Sequence, residues 1–182
     1  NLDRKTTLMK RVMIVGGPGS GKSTLARMLG EITGLPIFHM DHIHWKPGWV
    51  ERTQDEKNRL AHEVHRREEW IFEGNHSRTY AERIERADTL IWLDFPLALR
   101  LWRVLWRSAV SYGKTRPDMA EGCPERFGAG TIEFIAFIWR TRHSSRMKIK
   151  KTADHPPSHL TVYHLQHRTQ IKRFLNDMRN RI

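Results

Sequence analysis

The sequence predicts an α/β fold: a five-stranded parallel sheet with helices on both faces, stacked in three layers. Three observations lead there. Five short β-rich runs, at about 11–15, 35–40, 70–73, 89–93 and 160–164, alternate with helical stretches. The first run, Val12-Met13-Ile14-Val15, feeds directly into Gly16-Gly17-Pro18-Gly19-Ser20-Gly21-Lys22-Ser23-Thr24. The helical pattern Leu25-Ala26-Arg27-Met28-Leu29 follows at once. Right-handed crossovers then restrict the topology to a few doubly wound sheets.

Each element has a local reason. The first helix is expected over about 22–32, stopping at Gly34 ahead of Pro36. A second, polar helix over about 53–68 opens on Thr53 with Glu56 three residues later, the spacing of a capping box. Asp94-Phe95-Pro96 ends the fourth strand, and 97–109 reads as a helix. Residues 111–130 are rich in Gly, Pro and charge and read as a loop. Residues 131–151 are helical, apolar at first (Ile132, Phe134, Ile135, Phe137, Ile138, Trp139) and basic afterwards. Pro156-Pro157 breaks the chain before the last strand, and a helix over about 169–178 closes it. No internal repeat or low-complexity tract interrupts this order. The chain reads as a single domain over 9–182, with 1–8 as an upstream extension.

The glycine-rich stretch fits G-x-x-x-x-G-K-[ST], in the strand–loop–helix context the pattern needs. Glycines let the backbone fold around an anion with its N–H groups turned inward. The helix start adds a partial positive charge. Lys22 reaches the β- and γ-phosphates, and the Ser23 hydroxyl is placed to hold Mg²⁺. The expectation is a site for a nucleoside triphosphate, ATP with Mg²⁺.

Composition narrows the setting. The 182 residues carry 32 Lys+Arg against 20 Asp+Glu, a net charge of +12. Such a balance favours phosphorylated small molecules, nucleic acid or an anionic membrane, and the sign alone does not choose. Much of the excess lies in Arg140, Arg142, Arg146, Lys148, Lys150 and Lys151. No apolar run approaches a membrane span. The one cysteine, Cys123, excludes an internal disulfide and suits a reducing, cytoplasmic setting. Beside Pro124 it reads as structural, because phosphoryl transfer needs no thiol.

Three further segments carry a resemblance: Trp45-Lys46-Pro47-Gly48-Trp49, Glu73-Gly74-Asn75, and the run from Thr115-Arg116-Pro117-Asp118 to Glu125-Arg126. With them the chain resembles the small P-loop proteins called DNA topology modulation proteins, themselves similar to the adenylate-kinase group of nucleoside and nucleotide kinases. The likeness runs from Met9 to Leu175 and implies an adenylate-kinase-like P-loop NTPase with strand order 2-3-1-4-5. It further implies an acceptor-side flap at 41–69 and a lid at 111–130.

Phosphoryl transfer needs a cradle for the triphosphate, a magnesium shell, an acceptor pocket, and cations that follow charge in the transition state. Glu73 and Asp94 end the third and fourth strands and are the candidates for the magnesium shell. Relatives typically carry Asp where this chain has Glu73; the plainer role for Asp94 is a helix cap. Arg100, Arg103 and Arg107 share one helix face. The resemblance assigns Arg103 to the nucleotide base and Arg107 to the transferring phosphate. The plainer reading makes that face solvated and buries Leu101, Trp102, Leu105 and Trp106. The resemblance also implies Arg116 and Arg126 as phosphate contacts of the lid, and Asp41, Trp45, Trp49 and Arg78 as acceptor contacts. Arg168, after the fifth strand, is implied at the base. The alternative for Trp45 and Trp49 is simple packing of the flap, and a metal site from His39, Asp41, His42 and His44 is the less favoured reading of that run. The expected function is an ATP-dependent kinase acting on a nucleoside or nucleoside monophosphate. A DNA-binding ATPase modulating DNA topology is the alternative, and nucleic acid is the less favoured partner.

Overall fold

In this computed structural model, residues 9–115, 117–124 and 129–181 are described. The elements in chain order are β1 (Arg11–Gly16), α1 (Lys22–Thr33), β2 (Ile37–His39), α2 (Met40–His44), β3 (Trp45–Lys46), β4 (Val50–Glu51), α3 (Gln54–His65), β5 (Trp70–Glu73), α4 (Tyr80–Arg86), β6 (Thr89–Leu93), α5 (Leu97–Val110), α6 (Ala129–Asp154), β7 (Thr161–Leu165) and α7 (Arg168–Arg179). A 3-10 turn, Ser77–Thr79, precedes α4.

The main sheet runs β2-β5-β1-β6-β7 with every pairing parallel. In order of the five main strands this is 2-3-1-4-5, as expected. The central strands are buried on both faces, so they read as unbroken apolar runs rather than alternating ones. Alternation along β1 still decides which helix each residue meets. Met13 and Val15 pack with Trp70, Phe72 and Trp92 under α3, α4 and Ile149 of α6. Val12 and Ile14 pack with Ile71, Ile91 and Leu93 against Leu25, Ala26 and Leu29 of α1 and Phe174, Leu175 and Met178 of α7. Helices therefore cover both faces, and truncating any of these core leucines to alanine would cost about 2–5 kcal/mol.

Local chemistry sets the ends. Gly34 adopts the left-handed conformation (φ 73°) and donates its N–H to the Gly30 carbonyl, closing α1. Thr53 and Glu56 form the expected capping box at the start of α3. The flap segment holds a short helix and a two-stranded hairpin, α2 and β3–β4, that period-based reading does not resolve. The helix α6 begins at Ala129 and runs on to Asp154, further at both ends than its apolar and basic pattern suggests.

The plainer reading of α5 does not hold. Trp102, Leu105 and Trp106 of α5 are exposed, while Val104 and Ser108 are buried. The arginine face of α5 turns inward instead, toward the loop that follows β1. The tryptophans stack on each other outside, with ring centroids 5.9 Å apart. Among the described residues, no helix is long and apolar enough to cross a membrane.

Candidate active site

The parallel sheet ends its strands β1, β5 and β6 at one edge, where the loop after β1 opens a cleft of about 1280 Å³. Open parallel sheets place ligands at this edge, beside a switch in strand order. Gly17, Pro18, Gly19, Gly21, Lys22, Ser23 and Thr24 line the cleft. Gly16 and Ser20 stand behind them. Ser20 is buried, and its Oγ has no hydrogen-bond partner among the described residues.

At Gly17 and Gly19 this loop has no room for a side chain. Gly19 has a φ of 77°, and a Cβ there would stand 2.3 Å from the Arg100 carbonyl oxygen. A Cβ on Gly17 would fall 1.4 Å from Arg100 Nη1, so the guanidinium lies directly on the loop backbone. Gly21 caps α1 in the left-handed conformation with no side-chain hydrogen bond to the first turn. A helix start without a capping side chain suits an anion, as a polyphosphate cradle does.

The loop is braced from behind. Asn75 Nδ2 donates to the Gly16 carbonyl at 2.9 Å, and its Oδ1 accepts the Gly16 N–H at 3.4 Å. The turn that carries Asn75 is itself held by Arg83, fully buried, whose guanidinium donates to the carbonyls of Gly74 (2.9 Å) and His76 (3.1 Å). Arg83 also lies over the Phe72 ring, 4.8 Å from its centroid. Burial pulls its pKa down to about 10, which leaves it charged at neutral pH.

Cations converge on the loop. Lys22 Nζ is 3.3 Å from the Gly17 carbonyl. Burial lowers its pKa, Glu73 and Asp41 push it back up, and Arg107 and Arg100 lower it again. Arg100, Arg103 and Arg107 all line the cleft from α5. Arg103 reaches the carbonyls of Gly19 and Ser20 at 3.5 Å and lies over the Phe95 ring. Burial depresses the pKa of both Arg100 and Arg103; Asp94 opposes this at Arg100, and nearby Arg168 adds to it at Arg103.

Carboxylates gather at Ser23. Its Oγ lies 3.1 Å from Glu73 Oε1 and 3.0 Å from Asp118 Oδ2. His39 Nδ1 meets the same Glu73 oxygen at 2.8 Å. A hydroxyl has one proton to give, so with two carboxylates on it the cluster is rich in oxygen acceptors. An oxygen-ligated divalent cation fits that donor set. Asp94 is placed differently. Arg146 of α6 grips it with two bonds, Nε to Oδ1 at 2.9 Å and Nη2 to Oδ2 at 2.8 Å, and His164 Nε2 adds a contact at 3.0 Å. Burial raises the Asp94 pKa, but Arg146 and His164 outweigh it and the carboxyl stays ionised.

From α2 and β3, Asp41 and Trp45 line the cleft. Trp49 is engaged elsewhere: its Nε1 donates to the Pro124 carbonyl at 3.2 Å, and its ring meets Trp45 edge-on at 5.2 Å. Cys123 is buried and accepts the Trp49 N–H at 3.2 Å, a packing role. His42 Nε2 contacts the Pro117 carbonyl at 3.2 Å. Residues 42–49 and 117–124 thus touch through these side chains. Arg78, in the 3-10 turn, and Arg168, at the start of α7, are exposed and are not part of the cleft wall. Arg116 and Arg126 lie outside the described residues.

Sequence reasoning did not assign Asp118, Arg83 or Arg146 to the site. It named Arg100 only as sharing a helix face with Arg103 and Arg107, and His39 only within the metal reading rather than beside Glu73. Apart from Arg100, these residues reach the site from 34 to 95 residues away or act behind it.

Cradle, cations and carboxylates thus meet at one edge of a three-layer α/β fold. Solved structures agree on the fold. The chain is similar to a shikimate kinase from Acinetobacter baumannii, in complex with shikimate, over 97% of both chains, with 16% identity and a TM-score of 0.54. It is similar to a shikimate kinase from Bacteroides thetaiotaomicron over 94% of this chain and 97% of that one, at 16% identity and 0.53. A sugar kinase from a Janibacter species matches over 92% and 93%, at 16% identity and 0.50. No protein-family profile and no curated protein matches the chain.

Proposed function

We propose that the protein is an ATP-dependent, Mg²⁺-requiring kinase that moves the γ-phosphoryl group to a small-molecule acceptor. The observation that carries this reading is the convergence of Lys22, the α5 arginines and the Ser23–Glu73–Asp118 group on one glycine loop. In this reading the amides of 17–24 and Lys22 bind the β- and γ-phosphates. Arg103 and Arg107 follow the charge that shifts to the leaving and transferring oxygens. Ser23, Glu73 and Asp118 would hold Mg²⁺, which neutralises phosphate charge when bound. Asp41 hydrogen-bonds the acceptor's hydroxyl, and Trp45 supplies a ring face for it. The flap at 41–69 and the lid at 111–130 exclude water, so that the phosphoryl group is not lost to hydrolysis.

The acceptor class is a hydroxyl- or phosphate-bearing ring compound, with a nucleoside or nucleoside monophosphate as the first choice. The solved neighbours that bind shikimate or act on sugars support a small polar ring in that place. The resemblance to DNA topology modulation proteins rests on the quoted motifs. Its DNA-binding reading loses support where Arg146 is committed to Asp94 and Lys148 to the Ser77 carbonyl.

The test is ADP release from ATP·Mg²⁺ across a panel of nucleosides, monophosphates and sugar-like acids, with a duplex DNA arm. Turnover stimulated by one small acceptor, and lost in Lys22→Ala, supports the kinase. Hydrolysis stimulated by duplex DNA alone refutes it.

A further inference from the structure

On α3, His62 and His65 stand three residues apart and so share one helix face. Opposite them is Glu82, in the first turn of α4. The two histidines address different oxygens of this one carboxylate. His65 Nδ1 lies 3.4 Å from Oε1, and His62 Nδ1 contacts Oε2. One nitrogen or oxygen from each of the three residues lies within 4.8 Å of the others. A tetrahedral zinc with ligand bonds of about 2.0–2.1 Å sets ligand atoms about 3.4 Å apart, so only small side-chain adjustments separate this cluster from a coordination sphere.

His65 is the second, independent observation. Its side chain is 0% exposed, packed edge-on against Phe72, and neither ring nitrogen has a hydrogen-bond partner among the described residues. A buried polar ring without a hydrogen bond is costly unless something else uses its lone pair. The charged groups around it are Arg83 and Arg86 of α4. Arg83 spends its guanidinium on the Gly74 and His76 carbonyls, and Arg86 donates to the His65 carbonyl. Glu82 offsets one of these charges. His62 and Glu82 remain partly open to solvent, leaving a fourth position for water.

We propose that His62, His65 and Glu82 form a site for a zinc-class divalent ion that clamps α3 to α4, away from the phosphoryl-transfer cleft. Two imidazoles and a carboxylate suit Zn²⁺ rather than Mg²⁺. The clamp would stiffen α4, which carries the Arg83 that holds the Gly74 turn.

The test uses the whole chain, stripped with chelator and titrated calorimetrically with ZnCl₂ in excess Mg²⁺. The expected result is one equivalent of Zn²⁺ bound in wild type, with affinity falling at least about tenfold in His62→Ala and in Glu82→Gln. His62 and Glu82 are partly exposed, so both variants should fold, and their urea unfolding in chelator confirms it. His42→Ala should bind as wild type does. Absence of zinc binding, binding unchanged in both variants, or loss confined to His42→Ala would overturn the proposal.

Discussion

Arg83 donates a hydrogen bond to the carbonyl of Gly74 at 2.9 Å from a position with no solvent exposure. A buried guanidinium is costly unless its donors and charge are used. Here they serve two carbonyls of the turn linking β5 to α4 and the face of Phe72. Replacing it with methionine keeps volume but orphans both carbonyls. Arg83→Met is expected to lose about 2–4 kcal/mol of stability, measured by urea unfolding. Unchanged stability would show that the turn holds itself.

Asn75 passes that rigidity to the loop, since its amide pairs with both backbone groups of Gly16. Asn75 is exposed, so Asn75→Ala should leave folding nearly intact while loosening the cradle. The expected effect is about a tenfold weaker ATP affinity, about 1.4 kcal/mol, measured by calorimetry. Equal loss in stability and in affinity would assign Asn75 to folding alone.

Glu73 and Asp94 end neighbouring strands yet sit in different surroundings. Glu73 shares the Ser23 hydroxyl with Asp118, whereas Asp94 is clasped by Arg146. Glu73→Gln should raise the Mg²⁺ concentration needed for half-maximal turnover. Asp94→Asn should instead lower stability, by about 1 kcal/mol for a partly exposed, bidentate pair. The comparison is a magnesium titration of turnover beside a thermal melt, and an exchange of the two effects would overturn the assignment.

Two histidines make folding sensitive to mild acid. Burial, followed by the charge of Arg83, holds both His65 and His76 at about 4 in the folded chain, against an ordinary value of 6.5. Between these values the unfolded chain binds more protons than the folded one. Their contribution is therefore whole above pH 6.5 and is lost as the pH falls toward 4. Unfolding midpoints in urea, with chelator present, should fall steadily across that window, and His76→Leu should flatten the slope. Stability that is level from pH 7 to 5 would contradict this.

Much of the architecture was legible because its signals are contiguous. The apolar run, glycine loop and helix start lie within 18 residues of sequence, from Val12 to Leu29. Thr53 and Glu56 announced their capping box by spacing alone. What was not legible depends on distant contacts. The α5 faces were open to two readings, since Trp102 and Trp106 look like core by hydropathy. Only the proximity of the Gly17–Gly19 backbone, where no side chain fits, explains why the arginines face inward. Asp118 and Arg146 belong to segments whose composition says loop and basic helix, and their partners Ser23 and Asp94 are set by tertiary packing. Strands of two residues, as in β3–β4, are too short for any period to appear.

The most direct measurement follows ATP·Mg²⁺ by phosphorus NMR with each acceptor, for wild type and Lys22→Ala. The account predicts a new resonance as the γ-phosphate disappears, a phosphoester for a hydroxyl acceptor or a phosphoanhydride for a monophosphate, at a rate at least about 10²-fold lower in the variant. Conversion of the γ-phosphate only to inorganic phosphate with every small acceptor, or equal rates in the two proteins, would contradict it.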